Sequence, residues 1–183
     1  MIPELGQFAL ALALAVAIVQ AVLPIAGAAR GNAAWIAVAR PAAQAQALLV
    51  ALAFGCLTYA FVTNDFSVAY VAEHSNSALP LQYRVAGAWG GHEGSLLLWT
   101  LMLGVWMTAV ALFSAHFPED MVARVLGVMG LVSAGFLAFM LFTSNPFDRQ
   151  LPPAPDGRDL NPLLQDPGMV FHPPMLYMGY VGF

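Results

Sequence analysis

The chain has no lysine, a single cysteine and few charged residues of any kind. Charged side chains make up 9% of its 183 residues, against roughly 25% in a soluble domain. It therefore lacks the polar groups needed to cover a water-facing surface. All six basic residues are arginines, scattered singly at Arg30, Arg40, Arg84, Arg124, Arg149 and Arg158. No basic stripe follows a phosphate backbone, which argues against nucleic-acid binding. The lone Cys56 lies in an apolar run, cannot close an internal disulfide and has no metal-ligand spacing around it, so it reads as a small buried hydrophobe. The start of the chain lacks the basic flank of a signal peptide, with Glu4 in its place. Its first apolar run continues to about Ala29, beyond the roughly 7–15 residues of a signal core. It reads as a retained membrane helix, although Ala26-Gly27-Ala28 weakly imitates a cleavage site.

What the chain has instead is apolar length. It is 60% hydrophobic, in blocks running from Leu5 to Ala29, Gln44 to Val62, Gly94 to Ala115 and Val122 to Phe142. A fifth starts at Pro173 and reaches Phe183. Each of the first four has about the 17–25 residues that a helix needs to cross the hydrocarbon. Lipid offers no partner to an unpaired backbone group, so helices are required. The fold expected is an all-α integral membrane protein, a polytopic helical bundle of four complete transmembrane helices plus the start of a fifth. Residues 30–43 and 116–121 read as short links. Residues 63–93 and 143–172 read as long loops rich in turn residues, the second with Asn145-Pro146, Pro152-Pro153, Asp156-Gly157 and Asn161-Pro162. Arg30, Arg40 and Arg124 crowd the short links near helix ends, where the positive-inside rule counts most, which puts the N-terminus and both long loops outside the cytoplasm.

Two passages could carry chemistry: WGGHEGSLLLW at residues 89–99 and DPGMVFHPPMLYMGYVGF at 166–183. His172 precedes Pro173-Pro174. Proline suits a first helical turn and pushes the residue before it from helical angles, so His172 is expected just before a helix, in a fixed pose at the membrane surface. There it could ligate a haem iron, or simply hydrogen-bond to water or a loop carbonyl. Glu93 suits a helix start. From His92 a heptad series passes through Trp99, Trp106 and Phe113, all on one helical face that could line a tetrapyrrole pocket or simply pack. Gly90, Gly91 and Gly94 leave room for a close approach. His74 and His116 read as solvated. Arg84 could meet a haem propionate or snorkel to the boundary. No phosphate loop, hydrolase triad, zinc spacing or CxxCH haem-attachment motif is present, so the chain is not itself a c-type cytochrome.

Those two passages, joined by GRDLNPLLQDPG at residues 157–168 and preceded by Pro3-Glu4-Leu5-Gly6, resemble the CcmF/NrfE family of cytochrome c maturation haem lyase subunits. The resemblance covers the whole chain. It implies a multi-pass protein of the bacterial inner membrane, or of the mitochondrial inner membrane, that takes haem b from a carrier chaperone. The family helps attach that haem to the CxxCH cysteines of apocytochrome c, alongside other maturation subunits. It implies that His172 is a haem axial ligand, and that Trp89, Gly90, Gly91, His92, Glu93, Gly94 and Trp99 belong to the haem-domain motif. Residues 1–88 would be an N-terminal transmembrane pair with the first extracytoplasmic loop, and residues 89–183 the start of the haem-handling domain. The family's tryptophan-rich loop and its further histidines have no counterpart here, so the rest of the protein is expected in cis or trans and this chain alone is not expected to be active. A transporter or channel subunit, or an assembly subunit that never touches haem, are the other readings of the composition.

Overall fold

The computed structural model describes residues 1–182. Among them four helices are long and apolar enough to cross a membrane. They are α1 (Ile2–Arg30), α3 (Ala39–Val62), extended toward the N-terminus by the short α2 (Ala33–Ile36), α6 (His92–Phe113) and α7 (Glu119–Phe142). The short helices α4 (Ala69–His74) and α5 (Leu81–Gly87) stand between α3 and α6. A 3-10 turn at Pro162–Gln165 leads into α8 (Pro167–Gly182). No strand forms among the described residues; Val68 and Arg149 make one isolated antiparallel bridge.

Helix α1 is the axis of the bundle, packed against both α3 and α7. Its buried stripe is rich in small residues, Gly6, Ala9, Ala13, Ala17, Ala21 and Gly27, beside Leu10 and Gln20. Small side chains let backbones approach, which is how helices gain contact in lipid, where apolar burial itself drives little. Opposite them α7 presents Gly127 and Gly130. A methyl group at Gly127 would come within 2.6 Å of Ile25, and one at Gly130 within 3.0 Å of Gln20. Amides pin this close packing. Gln20 donates to the Leu126 carbonyl at 2.8 Å and to the Met107 sulfur at 3.2 Å, and Gln46 donates to the Ser133 hydroxyl. Phe8, Leu48, Leu131 and Phe113 stand exposed on the outside. That is the distribution of a surface solvated by lipid.

Each end of the bundle is stapled by arginine. Arg40 reaches the Ala111 carbonyl, the Ser114 hydroxyl at 3.0 Å and Glu119 at 3.2 Å, closing the α6–α7 turn. Arg124 donates to the Ala28 carbonyl at 3.3 Å, and Arg30 lies 5.5 Å from the Trp35 ring. At the other end Arg149 pairs with Glu4 and, at 3.4 Å, with Asp65. The two long connections dock on each other there. Asp156 accepts from the Ser77 amide at 3.0 Å and its hydroxyl at 2.7 Å, Arg158 N donates to the Ala72 carbonyl at 2.6 Å, and Asn76 donates to Asp159 at 3.1 Å.

The four spans stand where the apolar blocks predict them, but the connections differ from expectation. Residues 30–43 are mostly helical, because Asn32 caps α2 by accepting from Trp35 N at 3.2 Å and α3 starts at Ala39. Residues 63–93 hold two helices instead of one irregular loop. In 143–172 the turn residues nearest the fifth helix are caps: Asn161 accepts from Leu163 N at 3.1 Å, and Asp166 from Gly168 N at 2.8 Å. Side-chain oxygens that compete with a backbone mid-helix satisfy it at a helix start, so one residue type serves both loop and cap. The fifth helix therefore opens at Pro167 rather than Pro173. The end of that block at Phe183 lies outside the described residues.

Candidate functional site

Trp89, Gly90 and Gly91 form the turn between α5 and α6, and its shape is dictated from below by Tyr70. This tyrosine is buried on α4. Its hydroxyl accepts from Gly91 N at 2.9 Å and donates to the Gly87 carbonyl at 3.3 Å. Burial pushes the phenol well above its ordinary range, so it stays a neutral donor at any working pH. Room is scarce around it. A methyl group on Gly91 would sit 2.4 Å from His74 Nε2, and one on Gly94 would sit 1.8 Å from the Ala88 carbonyl oxygen. Ser95 donates its hydroxyl to the Trp89 carbonyl at 2.9 Å and fixes the turn from the helix side.

His74, expected in solvent, is half-buried instead. Its ring lies 4.5 Å from that of Tyr70, and its Nδ1 stands 3.0 Å from the Tyr70 carbonyl. A carbonyl only accepts, so Nδ1 is the donor, and Nε2 faces Gly91. Helical spacing from Tyr70 to His74 carries the ring back onto its own helix, and the docked turn covers it. Arg84 turns back onto its own connection. It donates to the Leu79 carbonyl at 2.7 Å and the Ser77 carbonyl at 2.8 Å, because the loop it follows turns back over it.

His92 and Glu93 open α6 as expected. His92 Nδ1 shares a 2.9 Å hydrogen bond with Ser144 Oγ, and its ring meets Phe139 edge-on at 6.0 Å. Trp99 packs on Phe136 of α7 with ring centroids 4.5 Å apart. The upper part of the aromatic series thus packs on α7. Trp106 and Phe113, lower on that face, line an apolar groove of about 370 Å³ between α6 and α7.

The second passage folds differently from expectation. His172 is not poised before the helix but lies within it, five residues past its first residue Pro167. Asp166 accounts for the shift. It accepts from Gly168 N at 2.8 Å and Met169 N at 3.3 Å, a strong start signal upstream of the prolines. The His172 side chain is exposed and makes no hydrogen bond among the described residues. It heads a helical face continued by Met175, Leu176 and Gly179, which with Tyr180 line a groove of about 440 Å³. No cluster of three or more His, Cys, Asp or Glu side chains surrounds it among the described residues.

Among the described residues a side-chain hydrogen bond joins the two passages. Trp89 Nε1 donates to the Val170 carbonyl at 3.2 Å, joining the glycine turn to the helix that bears His172. His92 and Trp99 instead face α7 and the residues just past it. The contributions of Tyr70, His74 and the Val170 carbonyl escape sequence reasoning, since each depends on which loop docks on which.

Four helices of this length and apolarity, joined by docked connections and a glycine-walled turn, describe an all-α multi-pass membrane protein. The chain belongs to the cytochrome c assembly protein family, whose model matches residues 89–183. It is 63% identical over 184 residues to the cytochrome c-type biogenesis protein CcmF of Pseudomonas aeruginosa, and 59% identical to CcmF of Escherichia coli. It is 48% identical to the cytochrome c-type biogenesis protein NrfE of Haemophilus influenzae. Among solved structures it is similar to the cytochrome c heme lyase CcmF, with a TM-score of 0.83 at 25% identity. That likeness covers 100% of this chain and 28% of the other. The chain likewise spans 28% of the length of the two CcmF relatives and all of its own residues align with them.

Proposed function

We propose that this chain forms the haem-receiving part of a cytochrome c maturation haem lyase, with His172 as an axial ligand to the iron of incoming haem b. Haem is the substrate here, taken from a carrier chaperone and passed to apocytochrome c. Each thioether forms by adding a cysteine S–H across a haem vinyl C=C bond, so no atom is lost and no outside oxidant is needed. What remains for the protein is binding and orientation.

The observation that carries this reading is the unengaged imidazole of His172, exposed at the head of an apolar helical face. A neutral imidazole is a ready iron ligand, and the exposed Phe171 and Met175 beside it suit a porphyrin's apolar faces. His74 and His92 each hold a neighbour through Nδ1, the Tyr70 carbonyl and the Ser144 hydroxyl respectively. Trp89, Gly90, Gly91, His92, Glu93, Gly94 and Trp99 then form the support of the site, opening a haem-handling domain over 89–183 after an N-terminal pair over 1–88. Other maturation subunits are the partners, and the remainder of the protein supplies the second ligand in cis or trans. The membrane is the bacterial inner membrane, with Arg30, Arg40 and Arg124 at the cytoplasmic end and the docked long loops outside. A proton or ion path is disfavoured, since no aspartate, glutamate, histidine or arginine is buried among the described residues.

The test compares the intact protein with its His172→Ala variant, purified from membranes of cells making c-type cytochromes. Loss of the haem absorbance together with loss of holocytochrome c is expected. Unchanged haem content and unchanged maturation would remove His172 from the site.

A further inference from the structure

The prolines after His172 leave a specific gap in α8. In an α-helix the carbonyl of residue 170 accepts from the amide of residue 174, and in a tighter 3-10 turn from that of residue 173. Both positions are proline here, and neither has an N–H. A proline ring in a helix also crowds the carbonyl four residues before it, which for Pro174 is that of Val170. An acceptor at the edge of the hydrocarbon that loses both local donors needs one from elsewhere.

It has one. The indole of Trp89 donates to that same carbonyl at 3.2 Å. The donor is itself held on two sides: its ring is stacked with Phe54 of α3 at 6.5 Å and 16° between planes, and its backbone is fixed by Ser95. We infer that Trp89 is the positioning residue for His172, supplying the hydrogen bond that the proline doublet removes and so fixing the pose of the α8 segment that carries the imidazole. The doublet and the tryptophan form one device. The prolines free a carbonyl two residues before the histidine, and the tryptophan ties it to the rigid α3–α6 face. The functional half of this inference rests on the reading of His172 as the haem ligand; the clamp itself does not.

The device has a signature that simple packing lacks. Replacing Pro174 restores an amide at the position that normally satisfies Val170, so Pro174→Ala should rescue the loss of the indole N–H. In the haem-free protein in lipid nanodiscs, Trp89→Phe is expected to speed amide hydrogen exchange of peptides spanning Met169–Leu176 by about threefold or more. Pro174→Ala added to it is expected to bring exchange back close to the parent rate. With hemin bound, Trp89→Phe is expected to shift the Soret band, and the double variant to restore it. Should the phenylalanine variant fail to accumulate, 3-benzothienylalanine at position 89 keeps the indole's shape while replacing N–H by sulfur. Exchange unchanged by either substitution at 89, or no recovery in the double variant, would overturn the clamp. A failure of the haem-ligand reading looks different: His172→Ala would keep the Soret band while the exchange results stood.

Discussion

A single methyl group separates the residues that only fill space in this chain from those that set its shape. At Gly94 the added carbon would land 1.8 Å from a backbone oxygen of Ala88, which has no flexible end to move aside. At Gly55 no atom lies within 4 Å of the added carbon. Gly94→Ala is therefore expected to lower the thermal midpoint of the detergent-purified protein by at least about 5 °C, while Gly55→Ala moves it by less than about 2 °C. Equal midpoints would show that the 89–94 turn is not as tightly seated as its geometry implies. The glycines of WGGHEG announce a close approach in the sequence, but not what approaches. His74 is the sharper case. It lies far from the motif along the chain, among polar neighbours, and only the docked fold places its Nε2 against Gly91. Nothing local to residues 70–76 encodes that.

At the scale of elements, sequence reasoning places the spans well and the connections poorly, for one physical reason. Apolar length over twenty residues has few readings in lipid, whereas asparagine, aspartate and proline serve turns, caps and first turns alike. Asp166 starts α8 and Asn161 starts the 3-10 turn, yet both sit in a stretch whose composition reads as loop. The contact between the long connections is likewise invisible before folding. Asp156 is its hinge, and its carboxyl is held below the ordinary 3.8 by the Ser77 hydroxyl first, then by the amides of Ser77 and Gly157. A carboxyl with a depressed folded pKa adds stability above its unfolded pKa and loses it as pH falls through the folded value. The loop contact is thus expected to hold from neutral pH to about 4 and to loosen below that. Limited proteolysis between Thr143 and Asn161, followed from pH 6 to pH 3 with an acid-active protease, should show cleavage rising below pH 4. Asp156→Ala should raise cleavage at neutral pH and flatten that acid dependence. A variant as resistant as the parent at pH 6 would mean that the loops dock without this carboxylate.

For the molecule as a whole, orientation decides function, since every chemical role proposed for His172 requires it to stand outside the cytoplasm. The two ends differ in construction. One is a compact arginine-stapled end around Arg40, Ser114 and Glu119; the other is a cap of two interlocked connections closed by Arg149. Arginine beside helix ends favours the cytoplasm, and a folded cap of short helices and docked loops suits a side where a soluble partner arrives. The one cysteine, Cys56, is buried, so it gives a quiet background for thiol labelling. Ser77 and Phe117 are both exposed and lie at opposite ends. In intact spheroplasts, Ser77→Cys is expected to react with a membrane-impermeant maleimide, and Phe117→Cys to react only once the membrane is opened. The reverse pattern would put His172 on the cytosolic side. Haem delivery to an apocytochrome outside the membrane would then have no route through this helix, whatever the imidazole binds.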